Sequence, residues 1–309
     1  MKGGNQMDII TVNNFAKSYG DFRAVRGISF SVEEGSLFAF LGPNGAGKST
    51  TIEALTTLTA FDSGAVIING HRLGKEDHEI RKSIGVVYQQ GVLDHQLTVA
   101  ENLWIRGSLY GFSRSELKRR IDEVVEITNI GELLKKRYAR MSGGQQRRVD
   151  IARALIHTPK ILFLDEPSTG VDAQTRKSIW EMIRNTQKEK GMTVFLTTHY
   201  MEEAKDAGKI VIIAHGEIID QGTPFELKEK YTSTHVLLYG TDPALLDELR
   251  KEGLEAGQTD AYIKVTMDKK EDIIAFLQKY QSRFESFEVE MGTMDDMFID
   301  LVEREEKGK

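Results

Sequence analysis

The sequence predicts an α/β fold: a P-loop core with a helical subdomain, followed by a small α+β accessory domain at the C-terminus. Three observations carry this expectation. An apolar stretch, Ser36 to Leu41, runs into a glycine-rich segment and then into a breaker-free stretch ending at Leu58. Strand-like and helix-like stretches alternate after it, and several polar residues fall just past strand ends. From about Thr232 short β-rich segments and amphipathic stretches suggest a separate unit. The expected division is 1–230, with the helical subdomain at about 91–145, and 231–309.

Asp8 to Ser18 and Val25 to Val32 read as strands, rich in β-branched and aromatic residues, around the turn Tyr19-Gly20-Asp21-Phe22. The glycine-rich segment is Gly42-Pro43-Asn44-Gly45-Ala46-Gly47-Lys48-Ser49-Thr50, a G-x-x-x-x-G-K-S pattern between strand and helix. Gly42, Gly45 and Gly47 let successive N–H groups turn inward around a phosphate chain, and the helix start adds unpaired donors. Lys48 is placed to reach the β- and γ-phosphates, and the Ser49 hydroxyl to hold Mg²⁺. A chance glycine-rich turn would not need both flanking elements. The pattern implies a nucleoside triphosphate site.

Gly64 to Asn69 and Ser83 to Tyr88 read as further strands. Thr98-x-x-Glu101 is a capping-box pattern opening a helix through Leu103, Trp104 and Leu109, and Ser113-x-x-Glu116 opens another. A mainly helical insertion therefore spans about Gly91 to Arg140. Met141-Ser142-Gly143-Gly144-Gln145 leads into a helix reaching Ile156, with Val149, Ala152, Leu155 and Ile156 as its apolar face. Ile161 to Leu164 is a short apolar strand ending in Asp165-Glu166-Pro167. A helix at about Ala173 to Lys188 precedes the strand Met192 to Thr197 and His199. Ile210 to Ala214 and Glu217 to Asp220 form a hairpin pattern, and Phe225 to Lys230 a closing helix. In the tail, Val236 to Tyr239, Tyr262 to Val265 and Phe287 to Glu290 are strand candidates. Ala244 to Lys251, Glu271 to Tyr280 and Met294 to Glu303, the last capped by Thr293-x-x-Asp296, are helix candidates. The expected order is βαβαβα.

The 309 residues carry a net charge of -6, so no basic footprint argues for nucleic acid. Short basic runs such as Lys118-Arg119-Arg120 and Lys135-Lys136-Arg137 are interleaved with acids, as on solvated helix faces. There is no cysteine, which excludes disulfides, thiolate metal sites and cysteine nucleophiles. No apolar run approaches the ~18 residues of a membrane span, and Met1 to Ile10 lacks a signal-peptide core. A cytosolic protein is expected, starting at Met1 or at Met7.

Gln89, Asp165, Glu166 and His199 all fall just past strand ends, where α/β sheets bind ligands. Asp165 is placed to share a Mg²⁺ ion with Ser49, and Glu166 to polarise an attacking water. Gln89 and His199 taken alone are ordinary polar residues; their order and position give them value. Ser142-Gly143-Gly144 before a helix suits an anion, or equally a plain N-cap. Tyr19 is placed either to stack on a base or to pack on the sheet. His71, His78, His95 and His157 show no metal-ligand spacing.

Taken together, the order Gly42 to Thr50, Gln89, Met141 to Gln145, Leu164-Asp165-Glu166-Pro167 and His199 resembles the ATP-binding cassette (ABC) ATPases over about residues 8 to 228. The resemblance implies that Tyr19 stacks on adenine and that Gln89 senses Mg²⁺ and the γ-phosphate. It implies that Ser142, Gly143, Gly144 and Gln145 close over the γ-phosphate of a second subunit's ATP. Ser168 to Asp172 becomes the loop between subunits and His199 the switch histidine. The implied working unit is a head-to-tail dimer, a homodimer or a pair with a related chain, binding two ATP and Mg²⁺. Met141 and Val171 stand where leucine is commoner; both are apolar.

A narrower resemblance, carried by Asp165 to Arg176 and Met294-Asp295-Asp296-Met297-Phe298, is to the daunorubicin-resistance type of drug and antibiotic exporter ATPases. Ala173 and Met291-Gly292 depart from that type, where proline is common. It implies a separate transmembrane permease, contacted through about Gly91 to Trp104, and a place on the cytoplasmic face of the membrane. Two alternatives are a cassette protein acting on ribosomes or DNA, and an importer ATPase. Against the first, the chain shows one P-loop and no sustained heptads. Against the second, the tail looks too short for the regulatory barrel of many sugar importers.

Overall fold

Alternation of apolar and polar residues builds the first hairpin. β1 (Asp8–Tyr19) and β2 (Phe22–Glu33) pair antiparallel, with Tyr19 opposite Phe22 at the turn. In the computed structural model, which describes residues 7–242, 244–267, 272–298 and 301, this hairpin belongs to the first of two compact units, 1–223 and 224–309. Residues 1–6, and with them the choice between Met1 and Met7, lie outside the described residues.

β3 (Leu37–Leu41) is buried at every position, as an unbroken apolar strand covered on both faces must be. α1 (Lys48–Leu55) starts directly after the glycine-rich loop. β4 (Ser63–Ile68) pairs with β1, and β5 (His71–Arg72) pairs with β4, giving a sheet of order β2-β1-β4-β5. α2 (Asp77–Ser83) precedes β6 (Ile84–Val87). The sequence reading contains no α2, because two turns of helix are too few for an apolar period to show.

The insertion is helical as expected. α3 (Val99–Ser108) opens with a complete capping box, in which Thr98 and Glu101 satisfy each other's backbone N–H. α4 (Arg114–Thr128) is capped by Ser113, which accepts from the Glu116 N–H. α5 (Gly143–Leu155) starts on a second capping box, Ser142 with Gln145. Each cap of this kind contributes about 1 kcal/mol and fixes where the helix begins.

β7 (Ile161–Asp165), α6 (Ala173–Lys190), β8 (Thr193–Thr198), the one-turn α7 (Met201–Ala204), β9 (Lys209–Ala214) and β10 (Glu217–Gly222) complete the unit. The second sheet has the order β10-β9-β3-β8-β7-β6, parallel except for β10. Its parallel strands bring the carboxyl ends of β3, β6, β7 and β8 to one side of the sheet, and β6 is the outer strand. Phe15 and Phe30 of the first sheet share one core with Phe38, Phe40, Phe163 and Phe195 of the second. Phe38 and Phe195 lie 4.9 Å apart between ring centroids, and Phe163 and Phe195 5.1 Å. Burying each ring contributes about 1.5–3 kcal/mol, which holds the strand ends still.

The second unit begins at α8 (Pro224–Tyr231) and continues with β11 (Thr234–Tyr239), α9 (Leu245–Lys251), β12 (Ala256–Gln258), β13 (Tyr262–Met267), α10 (Asp272–Tyr280) and β14 (Ser286–Met291). Its antiparallel sheet has the order β12-β13-β11-β14, with β12 an addition to the expected βαβαβα order. Val236, Leu238, Leu249, Ile263, Val265 and Phe276 make its core. Residues 294–298 are helical, and Thr293 and Asp296 form the expected reciprocal cap. The expected extension to Glu303 lies outside the described residues except at position 301, as does Glu271 at the expected start of α10.

Candidate functional site

The loop after β3 can form only with glycine at its tightest points. Gly45 and Gly47 have φ of +80° and +109°, in the left-handed region that L side chains resist. A Cβ on Gly42 would lie 2.2 Å from the Ile213 carbonyl oxygen of β9, so the loop backbone sits directly on that strand. Lys48, the first residue of α1, folds back over the loop. Its Nζ donates to the carbonyls of Gly42 at 2.8 Å and Pro43 at 3.1 Å, and stands 3.8 Å from Glu166 Oε1. Burial lowers the Lys48 pKa, and the Glu166 and Asp165 carboxylates oppose that shift.

Asp165 ends β7, where its Oδ1 accepts a 2.6 Å hydrogen bond from Thr197 Oγ1 of β8. Burial raises its pKa, the Thr197 bond pulls it down, and the Glu166 charge raises it again. Glu166 takes φ of +44°, a conformation costing a non-glycine residue about 1–3 kcal/mol. The Glu166 N–H donates to Thr197 O at 3.0 Å, which anchors the turned backbone. Its Oε2 accepts from Gln89 Nε2 at 3.1 Å and from Thr169 Oγ1 at 3.2 Å, and His199 Nδ1 stands 3.4 Å away without a hydrogen bond to it.

Lys48, Gln89, Glu166 and His199 therefore converge, from four different strand ends, on one open cleft of about 500 Å³ that Asn44, Gly45, Gly47, Ser49 and Thr50 also line. The arrangement offers backbone donors, one ammonium and a carboxylate held by Gln89 and Thr169. Asp165 lies buried behind Glu166. Pro43 and Ala46 shape the loop rather than the cleft wall: the Ala46 N–H donates back to Pro43 O. Phe22 lines the cleft, while Tyr19, across the hairpin turn from it, does not; Tyr19 is 48% exposed with Lys17 Nζ 5.1 Å from its ring.

Ser142, Gly143, Gly144 and Gln145 line no part of this cleft. They form the first turn of α5, packed beside the start of α6, where a Cβ on Gly144 would come 2.4 Å from Thr175 Cγ2. Asp172 caps α6 by accepting from the Thr175 N–H at 2.9 Å, and hydrogen bonds from Thr175 hold its carboxyl below the usual range.

One engaged residue is absent from the sequence reading. Arg147 of α5 is buried, and its guanidinium donates to Tyr88 O at 2.6 Å, to Glu166 O at 2.7 Å and to Pro167 O. Its signal was present: Arg147 lies four and seven positions before the buried Ile151 and Ala154, on an inward face of the helix. Burial lowers its pKa from the ordinary arginine value, with Asp150 the foremost opposing charge.

A protein-family profile described as ABC transporter matches residues 25–169. The linearmycin resistance ATP-binding protein LnrL of Bacillus subtilis (strain 168) is 40% identical over 246 residues, 78% of this chain and 79% of that protein. The chain belongs to the ABC transporter family of ATP-binding proteins. The doxorubicin resistance ATP-binding protein DrrA of Mycobacterium tuberculosis (strain H37Rv) is 39% identical over 243 residues, 78% of this chain and 73% of that protein. Among solved structures, cbiO1 from Clostridium perfringens, part of the ABC transporter complex cbiONQ, superposes with a TM-score of 0.66 at 29% identity, covering 71% of this chain and 90% of that one. A dimeric ATP-binding cassette in a post-hydrolysis state, bound to ADP and Pi, superposes with a TM-score of 0.64 at 28% identity, covering 70% of this chain and 98% of that one. This ABC protein is an ATPase, and ATP is its nucleotide. Among its described residues no helix is long and apolar enough to cross a membrane.

Proposed function

We propose that this chain is the ATP-hydrolysing subunit of an exporter of drugs, antibiotics or related compounds, and that ATP-dependent dimer closure drives a separate transmembrane permease. The observation that carries the reading is the separation of its two phosphate-facing parts. Asn44, Gly45 and residues 47–50 line the cleft, whereas 142–145 form a helix start outside it. A helix N-terminus that lies outside its own chain's cleft, closed only by its Ser142–Gln145 box, suits the γ-phosphate in a second subunit's cleft. Two chains facing head to tail would complete two clefts. Export is supported by the relatives, named for linearmycin resistance, doxorubicin resistance and, in Rhizobium sp. (strain N33), Nod factor export.

In the closed dimer the loop amides and Lys48 hold the β- and γ-phosphates. Glu166 takes a proton from the water that attacks the γ-phosphorus, and the bond to the bridging oxygen breaks to give ADP and phosphate. Gln89 orients the Glu166 carboxylate through its 3.1 Å bond, and His199 faces the γ-phosphate. Ser49, Asp165 and Gln89 offer a hydroxyl, one carboxylate and an amide oxygen. This hard, sparse donor set fits Mg²⁺ completed by water and phosphate oxygens. Mg²⁺ bound there would neutralise charge on those oxygens. Tyr19, or Phe22 beside it, supplies the ring for adenine. Trp104 and Ile105, exposed on α3, belong to the face offered to the permease at the cytoplasmic side of the membrane.

The test is a detergent pull-down from native membranes with Glu166→Gln protein in ATP and Mg²⁺. A polytopic membrane protein in stoichiometric amount is the expected result. A dimer carrying ribosomes or nucleic acid instead, and no membrane partner, would overturn the exporter reading.

A further inference from the structure

Three side chains from α5 and the residue pair following it reach one edge of β6. Arg147 Nη1 donates to Tyr88 O at 2.6 Å, Arg153 Nη2 donates to Val86 O, and His157 Nε2 lies 2.8 Å from Ile84 O. Residues 84, 86 and 88 alternate, so their carbonyls point the same way along the strand. β6 is the outer strand of its sheet, and among the described residues no further strand pairs with these carbonyls.

The two repeats match. From Arg147 to the end of α5 at Leu155 the helix rises about 12 Å, and His157 stands two residues further on. Four residues of strand, 84 to 88, rise about 13 Å, and the long arginine arms absorb the difference. The elements run in opposite directions, so the start of α5 meets the end of β6. Gly85 lets them close up: a Cβ there would lie 2.4 Å from Ala154 O. A carbonyl only accepts, so His157 carries its proton on Nε2. Burial pushes the His157 pKa down to about 4, and Tyr110 stacks on its ring at 4.2 Å.

We infer that Arg147, Arg153 and His157 form a ladder that ties α5 to β6 and to Gln89 just past it, and that Arg147 is a positioning residue for hydrolysis. Arg147 is the rung nearest the chemistry. It binds the backbone on both sides of the cleft floor, Tyr88 O before Gln89 and Glu166 O with Pro167 O beyond β7. It thereby fixes the spacing across which Gln89 Nε2 meets Glu166 Oε2. Displacement of Ser142–Gln145 at the other end of the first turn of α5 passes to Gln89 through the same guanidinium. The inference rests on the proposed roles of Gln89 and Glu166, but the ladder itself is testable without them.

The full-length chain is compared as Arg147→Lys, Arg153→Lys and His157→Phe. Lysine keeps the charge and one carbonyl bond but lacks the planar fork, and phenylalanine keeps the stack on Tyr110. In steady-state ATPase assays Arg147→Lys is expected to lower kcat at least tenfold with KM for ATP within twofold. Arg153→Lys should lie between, and His157→Phe within twofold of wild type. Without nucleotide, amide hydrogen exchange at 88–90, 166 and 168 should accelerate at least tenfold in Arg147→Lys and not in His157→Phe. Loss of kcat that merely follows the fall in Tm across the three variants would overturn the inference, as would unchanged exchange at 88–90. Wild-type turnover by Glu166→Gln, run in parallel, would instead strike the reading of the cleft and leave the exchange result to decide the ladder.

Discussion

Lys48 Nζ and Glu166 Oε1 face each other at 3.8 Å, both side chains buried, at the floor of one cleft. The ammonium offsets the charge of two adjacent carboxylates, Asp165 and Glu166, while spending its own hydrogen bonds on Gly42 O and Pro43 O. Lys48→Ala therefore removes the proposed phosphate contact and leaves the acidic pair uncompensated. ATPase activity should fall about 10²–10³-fold, the scale for losing one donor to transition-state charge. Retention of more than a tenth of wild-type kcat, in protein that still binds ATP normally, would contradict the placement.

Glu166→Gln separates chemistry from binding. The amide keeps the size of the side chain and an oxygen that can accept from Gln89 and Thr169, but it cannot take a proton. A loss of about 10²–10⁴-fold in hydrolysis is expected for a lost general base. Equilibrium binding of ATP should stay within a few-fold, and size-exclusion chromatography in ATP should show a stable dimer. A monomer under those conditions would count against closure by ATP.

The loop makes its own prediction at Gly42. A methyl group there meets the Ile213 carbonyl at 2.2 Å and Ile213 Cγ2 at 3.0 Å, and a backbone carbonyl of a buried strand cannot swing aside. Gly42→Ala should destabilise the first unit by about 1–3 kcal/mol, the usual cost of overpacking. Gly45, whose Cβ would meet open space, is the control: Gly45→Ala carries only the strain of φ +80°. Thermal denaturation of the two variants checks the order.

The parts of this site that could be read in the sequence are those with a local signal. Glycine spacing, a strand ending in Asp165-Glu166 and the boxes Thr98/Glu101 and Ser142/Gln145 are each written within four to nine residues. The inward face of α5 marked Arg147, but what Arg147 and His157 bind was not legible in that way. Their partners are carbonyls on β6, 59 and 73 residues away, and a carbonyl acceptor leaves no trace in side-chain identity. The same limit hides β12, whose three residues Ala256–Gln258 owe their strand to pairing with β13. Tyr19 and Phe22 flank one turn and both are aromatic, and only the fold shows that Phe22 lines the cleft.

His157 gives the fold an acid-side liability. Its pKa is about 4 in the folded chain against about 6.5 for a free imidazole, so between those values the unfolded chain binds the extra proton. Stability is therefore full above about pH 6.5 and is lost as pH falls toward 4, at about 1.4 kcal/mol per unit at the steepest. Chemical denaturation of wild type and His157→Phe from pH 7.5 to 4.5 should show a shallower decline in the variant. Parallel curves would mean that His157 does not carry the proton difference.

The second unit can be probed without touching the ATPase. Leu238 of β11 is fully buried among Leu249, Ile263 and Phe276, in a core separate from the phenylalanine cluster of the first unit. Leu238→Ala should cost about 2–5 kcal/mol, through lost transfer energy and the cavity left behind. Both tryptophans, Trp104 and Trp180, lie in residues 1–223, so indole fluorescence reports the first unit alone. Circular dichroism should therefore show an early transition that tryptophan fluorescence does not follow, with ATP hydrolysis surviving past it. One transition shared by both probes, shifted down together, would show instead that the two cores unfold as one cooperative structure and that the tail stabilises the ATPase.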